Sequence, residues 1–186
     1  DIANQANKDP RLVELILQES NEIIRVSDGV IIVEHRLGHV LANAGVDRSN
    51  IESKNKDEVA LLLPLNPDES AMKIRNQIKE KIGIDVGIII TDSIGRAWRL
   101  GTIGHAIGSA GVKTLMDLRF KAKDLFEREL QVTCIAWADQ LAAAASLVMG
   151  ETNEATPVVL IQGLDTPSSE DSIQDLIRPK KEDLFR

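Results

Sequence analysis

The chain has 186 residues, 43% of them apolar, and 22 Lys and Arg against 29 Asp and Glu give a net charge of −7. That length holds one sizeable core or two small sub-domains, and that composition excludes a disordered chain. The acidic balance, with no long basic block, argues against nucleic acid or an anionic membrane as the main partner, although an acidic chain still holds phosphates through local arginines or metal ions. Cys134 is the lone cysteine and forms no internal disulfide, which fits a cytoplasmic location. No apolar run approaches the ~18–20 residues of a membrane span. No signal peptide is visible in the opening DIANQANKDP.

Asp9-Pro10 reads as an N-cap followed by proline at the first helical position. The helix behind it is expected to place Leu12, Leu15, Ile16 and Ile23 on one face, with Glu19 beside them reaching solvent or pairing with Arg25. Val30–Val33 reads as a short strand, and residues 34–50 are rich in small residues and turn formers. Residues 58–63 read as a second strand ended by Pro64. Asn66-Pro67-Asp68-Glu69 is close to a capping box, and its helix carries Ala71, Ile74, Ile78 and Ile82 until Gly83 stops it. Residues 86–90 read as a third strand buried on both faces, which makes 58–90 a βαβ-like unit.

TDSIGRAWRLG (91–101) reads as a turn-prone segment after that strand. Five of the 12 glycines fall within residues 95–111, a density that marks tight turns or close backbone approach. Residues 135–149 form a helix whose LAAAAS centre lets a neighbouring helix or subunit come close. VVLIQG (158–163) reads as a last strand, and 165–186 as a polar surface tail. No repeat or low-complexity tract interrupts the chain.

Few residues suit nucleophilic or zinc chemistry. His35 and His39, on one strand, would stand about 13 Å apart. With His105 they make no HxH or HExxH pattern. Cys134 precedes an apolar helix and reads as a small core residue. Acids at strand and helix ends are better represented: Asp47 in ANAGVDRSN, Asp92 after the Ile88–Ile90 run, and Glu151 after LAAAASLVMG. If they converge, two or three such carboxylates would hold a hard cation, Mg²⁺ or Mn²⁺, and such ions commonly serve phosphates. Arg96 and Arg99 then supply fork-shaped donors to phosphate or carboxylate, and they are the candidate catalytic residues. The same residues also suit a plainer reading, in which the aspartates make turns and the arginines are surface charges.

KDPRLVELILQES, GHVLANAGVDRSN, LLPLNPDESA, TDSIGRAWRLGTIGHAIGSAG, WADQLAAAASLVMGE, TPVVLIQG and DLIRPKKEDLFR run in order across essentially the whole chain. Together they resemble the coenzyme F420-0:L-glutamate ligase (F420 γ-glutamyl ligase) family. The resemblance implies an α+β fold with mixed sheets and packed helices, a single ligase module over 1–186, and an intertwined homodimer. It implies GTP-dependent amide ligation: GTP phosphorylates the terminal carboxylate of the deazaflavin F420-0, and the amine of L-glutamate attacks the acyl phosphate. Two divalent ions (Mg²⁺ or Mn²⁺) are implied, with K⁺ as a candidate further ion.

Carried over by motif position, Asp47, Asp92, Ser93 and Glu151 resemble metal ligands. Asn50, Met149, Gly150, Glu151 and Glu154 resemble nucleotide contacts. Three departures bear on this expectation. The family carries a further segment before KDPRLVELI, with a lysine-containing strand motif, that this chain is expected to lack. Phe120 and Glu127 stand where the family suggests glycines, and His39 stands where an apolar residue is more usual. The first departure raises the alternative of a non-catalytic metal- or nucleotide-binding remnant. The second raises that of a ligase with a different acceptor.

Overall fold

Asp9 accepts a hydrogen bond from the Arg11 N–H at 2.8 Å, and this starts helix α2 (Pro10–Gln18) as the Asp-Pro pair predicts. A short helix α1 (Ile2–Ala6) precedes it. The computed structural model describes residues 1–52, 58–165 and 168–184. They fall into two compact units, Asp1–Leu65 with Ile94–Thr102, and Asn66–Ser93 with Ile103–Arg186.

In the first unit α2 ends earlier than its apolar spacing suggests. The Glu19 N–H bonds back to the Leu15 carbonyl at 3.2 Å, and the chain then turns into strand β1 (Ser20–Ser27). Ile23 therefore lies on β1 and not on the helix face. Its backbone is taken by strand β2 (Val30–His35), with Ile23 opposite Val33 and Ser27 opposite Val30. The two-residue loop Asp28-Gly29 closes this hairpin, with Gly29 at φ 77° where a side chain would be strained. Strand β3 (Val40–Ala42) adds antiparallel to β2. The fully buried Ile16, Ile31 and Val33 form the core with Ala6, Val13 and Ala44. Each large side chain there contributes about 1.5–3 kcal/mol of burial.

Glu19 pairs with Arg36 at 2.7 Å, so the pairing proposed with Arg25 is replaced by one at the open end of the β1–β2 hairpin. His35 and His39 do not share one strand. They face each other across the β2–β3 turn, with the His35 N–H on the His39 carbonyl at 2.8 Å, and both are buried. The strand expected over 58–63 does not form. Only Asp47 and Leu61 exchange backbone hydrogen bonds, at 3.0 and 2.8 Å, and Leu61 and Leu62 are exposed. Apolar composition does not make a strand when no neighbour takes its backbone.

The second unit opens with helix α3 (Pro67–Ile82), where Asn66 Oδ1 accepts from the Glu69 N–H at 3.1 Å and Gly83 ends the helix at φ 78°. Both ends follow the sequence reading. Among the described residues strand β4 (Ile88–Arg96) and strand β5 (Arg99–Ala110) pair only with each other, joined by Ala97-Trp98, and the tip of this pair, Ile94–Thr102, belongs to the first unit. A two-residue connection makes an antiparallel hairpin, so the βαβ unit expected over 58–90 is replaced by a hairpin after a helix. The turn-prone segment 91–101 is therefore mostly strand. The strand buried on both faces is the AIGSA end of β5, while β4 is only half-buried.

Strands β6 (Leu115–Asp117) and β7 (Cys134–Ala136) form a second antiparallel pair, and helix α4 (Trp137–Met149) follows directly. Ala106, Ala138, Ala142 and Ile173 make this unit's core, so the tail expected on the surface contributes a buried side chain. Asp68 fastens it, accepting from the Ser109 N–H at 2.7 Å, the Ser172 hydroxyl at 2.7 Å and the Ile173 N–H at 3.2 Å. No strand forms over 158–163, where Val158 and Leu160 are exposed. Cys134 is exposed at the edge of β7, with its thiol on Asp117 Oδ1 at 3.4 Å, and is not a core residue. The α+β class expected from the resemblance is what the chain adopts, with small antiparallel sheets in place of mixed ones.

Candidate active site

The candidate residues divide between the two units. In the second, Asp92 and Ser93 lie inside β4, one half-buried and the next exposed, because successive side chains of a strand point to opposite faces. The Ser93 N–H donates to Asp92 Oδ1 at 2.9 Å. The Ser93 hydroxyl donates to Glu151 Oε2 at 2.6 Å across 58 residues of sequence. Glu151 reaches it from the turn that ends α4. That turn depends on Gly150, whose φ of 74° and ψ of −178° are open essentially only to glycine.

Glu154 folds back over Gly150 and accepts from the Thr152 N–H at 2.8 Å and the Thr152 hydroxyl at 3.1 Å. The backbone N–H groups of Thr152 and of Glu154 itself hold its carboxyl below the usual carboxylate range. Met149 is half-buried at the end of α4. Residues 149–154 therefore form one shaped turn with an acidic rim.

In the first unit Asp47 sits in an Asx turn, with Oδ1 accepting the Ser49 N–H at 2.8 Å and the Ser49 hydroxyl at 2.7 Å. Burial works against its charge, but those bonds and the Arg48 N–H outweigh it and lower its pKa. Asn50 follows in the left-handed region at φ 51°. The Arg96 guanidinium donates to the Gly101 carbonyl at 3.1 Å across the hairpin tip, while Arg99 is exposed. An open cleft in this unit, beside Leu12, Leu15 and Val59, is rimmed by charges that already pair: Arg11 with Asp9 and Glu58, and Arg48 with Glu58 at 3.3 Å.

Among the described residues no group of three or more His, Cys, Asp and Glu side chains stands close enough to hold a metal ion. The Ser93 hydroxyl and the Glu151 carboxylate are hard oxygen donors brought together at the surface. Such a pair fits Mg²⁺ or Mn²⁺, which keeps several waters and takes one or two carboxylates plus substrate phosphates. Sequence reading singled out Glu151 as an acid at a helix end and Ser93 through the resemblance. It did not foresee that the Gly104 N–H meets Ser146 Oγ at 3.4 Å, on the helix that leads to Glu151. Clustered glycines signalled a close approach without saying to what.

A family model described as F420-0:Gamma-glutamyl ligase matches residues 1–163. The chain belongs to this family of ligases. A protein of Methanocaldococcus jannaschii named coenzyme F420:L-glutamate ligase is 49% identical over 186 residues, covering 100% of this chain and 72% of that protein. Proteins of the same name are 46% identical in Methanothermobacter thermautotrophicus and 41% identical in Archaeoglobus fulgidus; each covers 100% of this chain, which spans 73% and 72% of them. Among the described residues no helix is long and apolar enough to cross a membrane.

Proposed function

We propose that this chain is a GTP-dependent ligase that joins L-glutamate to the deazaflavin F420-0 by an amide bond, with further glutamates added through γ-linkages. The observation that carries the reading is the meeting of Ser93 and Glu151 at 2.6 Å in a chain of this family. A terminal carboxylate oxygen of F420-0 attacks the γ-phosphorus of GTP, the bond to GDP breaks, and an acyl phosphate forms. The amine of L-glutamate then attacks the acyl carbon, a C–N bond replaces the C–O bond to phosphate, and the amine proton leaves to solvent. No protein nucleophile enters this scheme.

Divalent ions, when bound, neutralise phosphate oxygens and hold the carboxylate in line. On this reading Asp92, Ser93 and Glu151 are ion ligands of the second unit, and Asp47 is an ion ligand of the first. Asn50 and the 149–154 turn contact the nucleotide, with Glu154 fixing the turn's shape. Arg96 and Arg99 receive phosphate or carboxylate. The enzyme works in the cytoplasm as a homodimer.

The test is ligation followed by mass spectrometry, with F420-0, GTP, L-glutamate and Mn²⁺ supplied together and each omitted in turn. A glutamyl adduct that needs all four, and that Asp92→Asn abolishes in a folded protein, is the expected result. An adduct formed without GTP removes the acyl-phosphate route, and undiminished activity in Asp92→Asn removes Asp92 from the ion site. A second reading, a ligase for a different acceptor, is favoured by Phe120, a residue 65% exposed where the family suggests glycine. Turnover on other terminal carboxylates in the same assay separates the two.

A further inference from the structure

We propose that Gly104 is a positioning residue for this site: by letting β5 pack directly on the backbone of α4, it sets where that helix delivers Glu151 against Ser93. The inference rests on the reading of Ser93 and Glu151 as cation ligands given above. Gly104 is not needed for an unusual backbone angle; what it provides is space. A methyl group there would press on the Ala142 carbonyl oxygen and stand 2.9 Å from both the Ala142 carbonyl carbon and Ser146 Cβ. Carbon atoms in contact settle at about 3.5–4.0 Å, so a side chain at 104 displaces α4 by about 1 Å.

The contact is clamped at two points two helical turns apart. The Gly104 N–H donates to Ser146 Oγ at 3.4 Å, and the Ala106 N–H donates to Asp139 Oδ1 at 3.1 Å. From the first clamp the chain runs straight into the site, because the Ser146 carbonyl accepts the Gly150 N–H at 3.1 Å and Glu151 is the next residue. A shift of about 1 Å takes the Ser93–Glu151 pair, now at 2.6 Å, outside hydrogen-bonding range. The small LAAAAS centre of α4 is thus matched to a strand of its own chain. Gly108, four residues on, makes an equally close contact with a different helix: a methyl group there would stand 2.5 Å from Pro67 Cβ, at the start of α3.

That pair of glycines supplies the control. Mn²⁺ affinity of the full chain is measured without nucleotide, by electron paramagnetic resonance of the free ion, for wild type, Gly104→Ala, Gly108→Ala and Ser146→Ala, each with a thermal melt. Gly104→Ala is expected to bind about tenfold more weakly or worse. Gly108→Ala is expected to lose comparable thermal stability and keep wild-type affinity. Equal affinity in wild type and Gly104→Ala overturns the positioning role and leaves the cation reading standing. A parallel loss in Gly108→Ala reduces Gly104 to ordinary packing and overturns it too. No binding by wild type overturns the cation reading and this inference with it. Should Gly104→Ala fail to fold, Ser146→Ala decides: affinity about threefold weaker supports the clamp, and unchanged affinity overturns it.

Discussion

Ser93, inside a strand, and Glu151, beyond the end of a helix, share a hydrogen bond of 2.6 Å although 58 residues separate them. The bond is exposed, so it adds little to stability. Its value on the proposed reading lies in aligning two oxygen donors. Glu151→Gln keeps the size of the side chain and a hydrogen-bonding oxygen but removes the charge. It is expected to weaken Mn²⁺ binding about 10–100-fold while Tm stays close to wild type. Titration calorimetry beside a melt checks this, and wild-type affinity in the variant would exclude Glu151 as a ligand.

His35 is buried, its Nδ1 accepts the Leu37 N–H at 3.0 Å, and its Nε2 lies 3.4 Å from Glu19 Oε2. The ring proton therefore sits on Nε2, and a second proton must displace the Leu37 bond. Burial, more than the nearby Arg36, pushes the His35 pKa below its ordinary 6.5, with Glu19 opposing. The unfolded chain then takes up this proton at a higher pH than the folded one. The stability His35 contributes is complete above pH 6.5 and is lost as pH falls toward the folded value. Melts from pH 7.5 to 5 are expected to fall more steeply for wild type than for His35→Gln. Parallel curves would show that His35 does not titrate differently in the two states.

Phe120 and Glu127 both adopt left-handed backbone, at φ 58° and 62°. Glycine removes a steric cost of about 1–2 kcal/mol per residue there, partly offset by the greater freedom of an unfolded glycine. Glu127 also pairs with Lys123 at 2.9 Å, a surface contact of little weight. Glu127→Gly is therefore expected to raise Tm by about 1–3 °C. A lowered Tm would mean that the loop is relaxed with its present side chains.

Asp68 ties three donors from two other segments to the first turn of α3. Asp68→Ala leaves the Ser109 and Ile173 N–H groups without that acceptor, at an expected cost of about 2–4 kcal/mol. Differential scanning calorimetry should show Tm lower by roughly 5–15 °C. Hydrogen exchange at Ser109 and Ile173 should rise with it. Unchanged protection there would show that the C-terminal segment is held by Ile173 burial alone.

Local signals were legible in the sequence wherever neighbouring residues decide the structure. Asp9-Pro10 and Asn66-Pro67 begin their helices, Gly83 ends one, and Val30–Val33 is a strand, because caps and β-branched runs act within a few residues. Acids at strand and helix ends marked Asp47, Asp92 and Glu151 as candidates, and long motifs carried the family and added Ser93. Pairing partners were a different matter. Residues 58–63 and 158–163 have strand composition and no ladder, while TDSIGR, rich in turn formers, is paired strand. A strand exists only when another segment takes its hydrogen bonds, and that segment can lie anywhere in the chain. For the same reason the clustered glycines announced a close approach, but only the packed chain showed that Gly104 meets Ala142 and Ser146. The residue types were set by the sequence; the 2.6 Å between Ser93 and Glu151 was set by how β5 lies on α4.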